Sequence, residues 1–377
     1  MAGETPNGVD PSSSPAKKPL YEASTQFRSW RYSPEQLRQV RQKLNVGAVA
    51  AIRKTIEENE SGSSASLSFL QPDDELVLVK LYITKIPQLC GHFRFPEEVE
   101  ATAISYLKRF YLKNTVMDWH PKNVMCVCVV TISSSDSTSL FLSRLTALFL
   151  ATKTTNNPIS LDSYTSNIPK TSQSDVLGLE FLVAQSLNFE FAVWHAHRAL
   201  WGLWLDLQGL PDLTEALRTP EVYETALKHV RASRFTDAEL IYTPSQIAIA
   251  SLSLASPLLS NKWMDSKLPS DAAAAESYRQ TLERSNSTIG EMILRDAQPP
   301  NVEAAREVDR CLKLCKNPQR VVGSKAYLAR RAEEERRAEE KRNKKAHDFH
   351  KTIEGDDPFG SELVQIGQET QDMDDDD

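Results

Sequence analysis

No stretch of the 377-residue chain approaches the roughly 18 consecutive apolar residues a membrane helix requires. The most apolar run, Leu140–Leu150, is interrupted by Ser143 and Arg144. No membrane partner is expected. Cysteine is scarce too: five scattered residues make no disulfide framework and point to a reducing compartment. The opening residues, rich in Pro, Ser and Gly, hold no apolar core of a secretion signal, so the Asn286-Ser287-Thr288 sequon is not expected to carry sugar. Phosphate-cradling and nucleophile signatures are missing as well. There is no Walker A loop, GxGxxG, GxSxG, HExxH, or kinase HRD or DFG. No nucleophile–base pair can be argued from what remains, and neither an enzyme nor a bound cofactor is expected.

Net charge is nearly absent from the body and concentrated at one end. The net charge is −7, yet residues 351–377 carry one Lys against ten Asp and Glu, and the first 350 residues carry 43 basic and 41 acidic side chains. A body at +2 is no coat for nucleic acid, so no direct nucleic-acid partner is expected. An acidic tail on a neutral body describes the balance.

What the chain does have is helical signal. Residues 1–32 read as a disordered tail, with little apolar surface to offset ordering entropy. Ser33-Pro34-Glu35-Gln36 is a helix start with a capping box, and Val40, Leu44, Val46, Ala50 and Ile52 form a stripe, which predicts a helix over residues 33–60. From Pro72, acids in a first turn precede Val79, Tyr82, Ile83, Ile86, Leu89, Cys90 and Phe93, with Pro87 placed to break the stripe. Pro96 opens another helix with Val99, Ala103, Tyr106, Leu107 and Phe110 in register. Further helices are predicted at Leu145–Lys153, Ser174–Leu187, Ala196–Leu207, Pro220–Arg234, Pro244–Leu259, Ser277–Leu294 and from Val302, with a break at Pro318. No βαβ alternation or hairpin signal appears, so the fold class is all-α. Twelve of the fifteen residues Arg331–Lys345 are charged, mostly as opposite signs three and four apart, which reads as a solvated helix held by ion pairs.

Three clusters invite chemistry and are given blander readings. Cys126-x-Cys128 with His120 lacks the second ligand pair of a zinc site, so no metal is expected. Cys311 and Cys315, one turn apart, read as small core residues. His195 and His197 flank a Trp-rich helix (Trp194, Trp201, Trp204) and read as core or interface.

Five segments resemble the cyclin family in their order along the chain. Ile104-Ser105-Tyr106-Leu107-Lys108-Arg109-Phe110-Tyr111-Leu112, with Asn114, Val116-Met117 and His120-Pro121, is similar to the second helix of a cyclin box of the cyclin H type. Leu148-Phe149-Leu150-Ala151-Thr152-Lys153 resembles the end of a third helix, and Leu182 to Phe191 the end of a fifth. Leu240-Ile241-Tyr242-Thr243-Pro244-Ser245-Gln246-Ile247-Ala248 resembles the second box, and Pro299-Pro300 to Arg310-Cys311 the C-terminal helix. The likeness runs from Tyr21 to Pro318.

The resemblance implies two consecutive five-helix cyclin boxes flanked by N- and C-terminal helices: a first box over 69–172, a second over 173–296, a helical segment over 301–345 and an acidic disordered tail over 346–377. It implies a nuclear regulatory subunit of the cyclin-dependent kinase that activates other such kinases. That kinase works with TFIIH on the C-terminal tail of RNA polymerase II, with a MAT-like RING-finger assembly factor as third member. Kinase contact is implied at the third and fifth helices of the first box and at a basic residue before the second, here Arg94 where Lys is usual. Lys153 ends the third helix, but Thr154-Thr155-Asn156-Asn157 follow where the family has acids, leaving Asn156 to offer an amide in place of a charge-assisted bond. Alternative readings are a cyclin of the Mediator or elongation kinase, and a TFIIB-like factor that holds DNA through a basic stripe.

Joining Val124-Met125 to Leu145-Thr146 would restore a family-like third helix, which makes residues 126–144 an insert of nineteen, eight of them Ser or Thr. A helix interior tolerates extrusion poorly because its core face must resume in register. A retained intron translated in frame is favoured over a Ser-rich loop. Sequencing the transcript across codons 120–150 is expected to give a dominant message that lacks this segment; one that contains it removes the intron reading.

Overall fold

The computed structural model describes residues 19–59, 67–124, 146–166, 173–210 and 219–354, and no strand occurs among them. Residues 126–144, with Cys126 and Cys128, lie outside this set. Packing divides the chain into one unit of residues 1–50 and 68–315 and another of residues 51–67 and 316–377.

The helices start where side chains can satisfy their free amides. At Ser33, the Gln36 amide donates to the Ser33 hydroxyl (3.1 Å) while the Ser33 amide donates to the Gln36 side chain (2.8 Å), ahead of α2 (Pro34–Asn59). Thr243 and Gln246 repeat the device. Pro87 acts as a break: α3 (Pro72–Ile83) ends before it, and it sits in the first turn of α4 (Ile86–Phe93).

In the first unit, α4, α5 (Glu97–Phe110), α7 (Thr146–Thr154), α8 (Leu161–Ser166) and α9 (Gln173–Ser186) form one bundle. The four-residue helix α6 (Pro121–Val124) touches α7. A second bundle of α10 (Ala196–Gln208), α11 (Pro220–Ser233), α13 (Pro244–Ala255), α14 (Pro257–Ser266) and α15 (Ala272–Asp296) is built around α13, whose Ile247 to Leu252 are all buried. A short α12 (Ala238–Ile241) leads into it, and α16 (Val302–Leu314) returns to lie on α3. His120 fastens that return, its Nε2 2.7 Å from the Asp309 carboxylate, and this hydrogen bond holds Asp309 below the ordinary carboxylate range.

Helix α5 joins the bundles. Every residue from Ala101 to Phe110 is buried, polar ones included. Its apolar side faces α4, α7 and α9, and its polar side meets the second bundle. Glu97 takes Arg234 (2.5 Å) and Arg231 (2.8 Å), and Glu100 takes Arg234 (2.9 Å). Thr102 lies 2.9 Å from His195 Nε2, the Ser105 hydroxyl donates to Glu239 (2.6 Å), and Lys108 donates to the Thr236 carbonyl (2.6 Å) and pairs with Glu239. His195 and His197 stack 5.2 Å apart beside this seam, the second near Arg234.

The N-terminal segment straps the same seam. Helix α1 (Thr25–Ser29) leads into Trp30, 1% exposed, whose indole N–H donates to Glu190 (2.7 Å) beneath the Arg109 guanidinium (5.1 Å from the ring). The Tyr32 amide donates to the Leu240 carbonyl, and Arg41 forms a two-pronged bond to Asp237 at 2.7 Å.

In the second unit, α17 (Lys325–Glu354) follows a single 3₁₀ turn at Pro318–Arg320, and Gln319 donates to Thr55 near the end of α2.

Several expectations are corrected. The stretch 1–32 is not disordered throughout, because residues from Pro19 on bury Gln26 and Trp30. The boundary at 172/173 falls too early: α9 packs on α5 and α7, so the first bundle reaches residue 186. The helix expected over Pro244–Leu259 stops at Ala255, because Ser256 precedes Pro257 and adopts the extended backbone proline demands; its hydroxyl then caps α14. Helix α17 continues to Glu354, beyond the expected end at 345. In α2 the buried face is Leu37, Asn45, Ile52 and Thr55, and Val46 is exposed.

Burial opposes the Glu97 charge, but the hydrogen bonds and charges of Arg231 and Arg234 outweigh it and bring the carboxyl down to about 2. Burial, reinforced by Arg234, brings His197 down to about 4, and burial with the neighbouring His197 holds His195 far below its usual value. The unfolded chain takes up protons on these imidazoles near pH 6.5 and the folded chain does not, so stability is expected to fall as pH drops from 6.5 towards 4. Glu97 carries the loss on from about 4.5 towards 2. Urea unfolding at a series of pH values checks this: His197→Gln should shallow the upper limb. Arg234→Ala, which takes from Glu100 its cation and leaves Glu97 with Arg231 alone, should cost about 3 kcal/mol at neutral pH.

Candidate functional site

Lys153 lies in the last turn of α7, where the helix dipole favours a cation. Its Nζ sits 2.7 Å from Glu180 on α9 and 4.6 Å from the centroid of the Phe149 ring one turn earlier. The Lys153 side chain is 44% exposed and that of Glu180 18%, so the pair opens to solvent on the lysine side. Three residues on, Asn156 ends the helix in the left-handed region (φ 57°). That conformation, which Asn tolerates better than most residues, lets the Asn157 amide bond back to the Thr152 carbonyl and leaves the Asn156 side chain exposed.

Arg94 ends α4 in the same left-handed region (φ 55°), exposed and with no ion-pair partner among the described residues. The rings on either side of it, Phe93 and Phe95, stack 5.2 Å apart. Phe93 contacts Tyr164 (5.4 Å), which is fully buried, and Tyr164 contacts Phe149 (5.0 Å), the ring under Lys153. The two cations named from sequence thus stand at the ends of one ladder of rings, which gives both a stiff base.

Helix α9 supplies residues that sequence reasoning did not single out. Val176, Leu179 and Val183 face the core, while Leu177 (49% exposed) and Phe181 (65%) face outward with Glu180 beside them on the same side. The helix ends in two consecutive left-handed residues, Asn188 (φ 53°) and Phe189 (φ 58°), and the turn leaves Phe189 55% exposed and 6.1 Å from Phe181. A phenylalanine with positive φ is costly backbone kept where surroundings over-determine it. The signal for this ridge was in the sequence: α9 is apolar on both faces, and one bundle can bury only one of them. An exposed apolar ridge beside an accessible charge pair is chemistry for holding a protein surface.

The other candidates are accounted for elsewhere. His195 and His197 belong to the seam between bundles, His120 to the Asp309 contact, and Cys315 is buried at the C-terminus of α16, with Cys311 half-buried. No group of three or more His, Cys, Asp or Glu fit to hold a metal ion occurs among the described residues.

A family model described as the cyclin C-terminal domain matches residues 195–295, the second bundle. Cyclin mcs2 of Schizosaccharomyces pombe is 30% identical over 83% of this chain and 90% of its own length. Cyclin CCL1 of Saccharomyces cerevisiae is 31% identical over 68% of this chain, a match that spans 63% of the relative, just under two thirds. Among solved structures, a chain of the CAK complex of Chaetomium thermophilum bound to ATP-γ-S superposes with a TM-score of 0.67 at 27% identity, covering 84% of this chain and 94% of that one. A chain of the yeast TFIIK complex (Kin28/Ccl1/Tfb3) gives a TM-score of 0.55 at 28% identity, covering 72% and 100%.

Two substitutions separate what this surface does for the fold from what it is kept for. Phe181→Ala removes a ring that is mostly exposed and is expected to leave the urea midpoint nearly unchanged. Arg94→Gly relieves a left-handed non-glycine residue and is expected to stabilise by about 1 kcal/mol in the same measurement.

Proposed function

The chain belongs to the cyclin family, and on that premise we propose that it is the regulatory subunit of a cyclin-dependent kinase of the CDK-activating, TFIIH-associated type. It binds and activates the catalytic subunit, together with a MAT-like RING-finger assembly factor, and works in the nucleus on the TFIIH core and the C-terminal tail of RNA polymerase II. The observation that carries this reading is the ridge of Leu177, Phe181 and Phe189 beside the Lys153–Glu180 pair. The relatives it resembles bear cyclin names over most of the chain, and one solved complex with a chain similar to it, yeast TFIIK, holds Ccl1 together with Kin28 and Tfb3.

The chain contributes no reacting group; it changes which kinase conformation is populated. A kinase is active when its helix C sits so that a Lys–Glu ion pair forms and the activation loop opens. A rigid surface that binds that arrangement better than the inactive one shifts the equilibrium by its differential affinity. Phe181 and Leu177 bury against the apolar side of helix C. Lys153 and Glu180 offer a cation and an anion to backbone groups at its ends, and Asn156 adds an amide that both donates and accepts. Arg94 spreads a fork of donors towards kinase carbonyls. Lys153 is held between Glu180 and Phe149 before the kinase arrives, which lowers the ordering cost of binding.

The test is reconstitution with the kinase catalytic subunit and the polymerase tail as substrate. Wild type is expected to co-purify with the kinase and stimulate phosphorylation. Phe181→Ala should weaken binding at least about tenfold, a loss of about 1.4 kcal/mol. Undiminished activation by a Phe181→Ala, Lys153→Ala double variant would overturn this docking surface. Tight duplex-DNA binding without any kinase would favour the TFIIB-like reading.

A further inference from the structure

Helix α17 is charged along most of its length, but its charges are handled in two different ways. From Arg330 to Glu340 the cations are paired: Arg330 with Glu334, Arg331 with Glu335, Arg336 with Glu333 and Glu340, and Arg337 with Glu333, at 2.8–3.0 Å. Beyond Glu340 the pairing stops. Lys341, Arg342, Lys344 and Lys345 are all exposed and have no ion-pair partner among the described residues. A solvated helix held by side-chain pairs, the reading drawn from composition, therefore describes residues 330–340 and not 341–345.

The run is also poorly supported as helix. Pairs of opposite sign three and four apart add about 0.2–0.5 kcal/mol each, and like charges at those spacings subtract similar amounts. Lys341 stands four residues after Arg337, three before Lys344 and four before Lys345, and Arg342 stands three before Lys345. Every such spacing within the run repels, Glu339 and Glu340, one turn before Arg342 and Lys344, form no ion pair with them, and no residue from Ala338 to His347 is buried. Local unwinding there costs little, which leaves Lys341-Arg342-Asn343-Lys344-Lys345 readable as an extended peptide.

We propose that Lys341–Lys345 is the recognition segment for a nuclear-import receptor: a protein groove that offers a carboxylate to each ammonium or guanidinium group and aromatic faces to the methylene stems. This rests on the reading that the chain works in the nucleus. Short Lys/Arg-rich runs serve either import or nucleic-acid contact, and two observations favour import. Phosphate binding by counterion release grows with the number of cations engaged, and here the +2 balance of the first 350 residues already counts these four cations, while a tail of one Lys and ten acids follows at once. A helix that grips a groove of DNA must also stay folded, whereas this run is exposed and makes no ion pair among the described residues.

The test uses the full chain fused to a fluorescent protein, large enough to be excluded from passive passage through nuclear pores. Every fusion carries Phe181→Ala so that a bound kinase does not carry it in. Replacing Lys341, Arg342, Lys344 and Lys345 by Ala is expected to lower the nuclear-to-cytoplasmic ratio at least threefold and to abolish binding to purified import receptor at physiological salt. Replacing the three lysines by Arg should preserve both. Kinase activation by the four-Ala variant, measured without Phe181→Ala, should be unchanged, so failure of the kinase reading and failure of this one are told apart. An unaltered ratio overturns the proposal, and loss of duplex-DNA binding with import intact reassigns the run to nucleic acid.

Discussion

The structure of the first unit depends on one helix with two kinds of neighbour. Helix α5 gives its apolar side to the first bundle and its polar side to the second, and the polar side is nearly as buried as the apolar one. Buried charge is tolerable only when paired. Glu97 and Glu100 meet Arg231 and Arg234, Lys108 meets Glu239 and a carbonyl, and Arg109 lies against Trp30. These contacts are directional, so they fix the angle and register between bundles in a way that apolar packing alone would not. The N-terminal strap closes the same joint from outside, Trp30 and Arg41 reaching residues of the inter-bundle connection and of the second bundle.

That stiffness is what the outward surface of the first bundle needs. Lys153, Phe149, Tyr164 and Phe93 form a continuous line of contacts from α7 through α8 to the end of α4, with Arg94 beyond it. Left-handed residues sit at the three places where a helix must stop abruptly beside this surface: Arg94, Asn156 and the Asn188–Phe189 pair. A partner that has to be moved from one conformation to another can be moved only by something that does not itself yield, and the sharp helix ends present their side chains without slack.

Much of this organisation is legible residue by residue. The capping boxes at Ser33 and Thr243 occur as written, because a Ser or Thr followed by Gln three residues later is a local device whose geometry needs nothing distant. Prolines behave likewise: Pro87 separates two helices and Pro257 divides what periodicity alone joins, since proline acts on the residue just before it. The candidate site was half legible. Arg94, Lys153 and Asn156 came from resemblance, while Glu180, Leu177, Phe181 and Phe189 did not. Glu180 is an ordinary acid until Lys153, 27 residues earlier, is folded against it, and Leu177 and Phe181 look like core until Val176, Leu179 and Val183 are seen to fill the core without them.

Periodicity, caps and proline positions were sufficient to establish helical class, most helix starts and the neutral body with its acidic end, because each is a property of residues within one or two turns of each other. Only the tertiary structure decided that Lys108 and Arg109 are interior, that Trp30 anchors a segment composition would leave unfolded, and which apolar face of α9 is turned outward. The first two of these outcomes depend on partners 81 to 168 residues away. A charge or an exposed ring has no fixed meaning until the chain brings its partner, or leaves it without one.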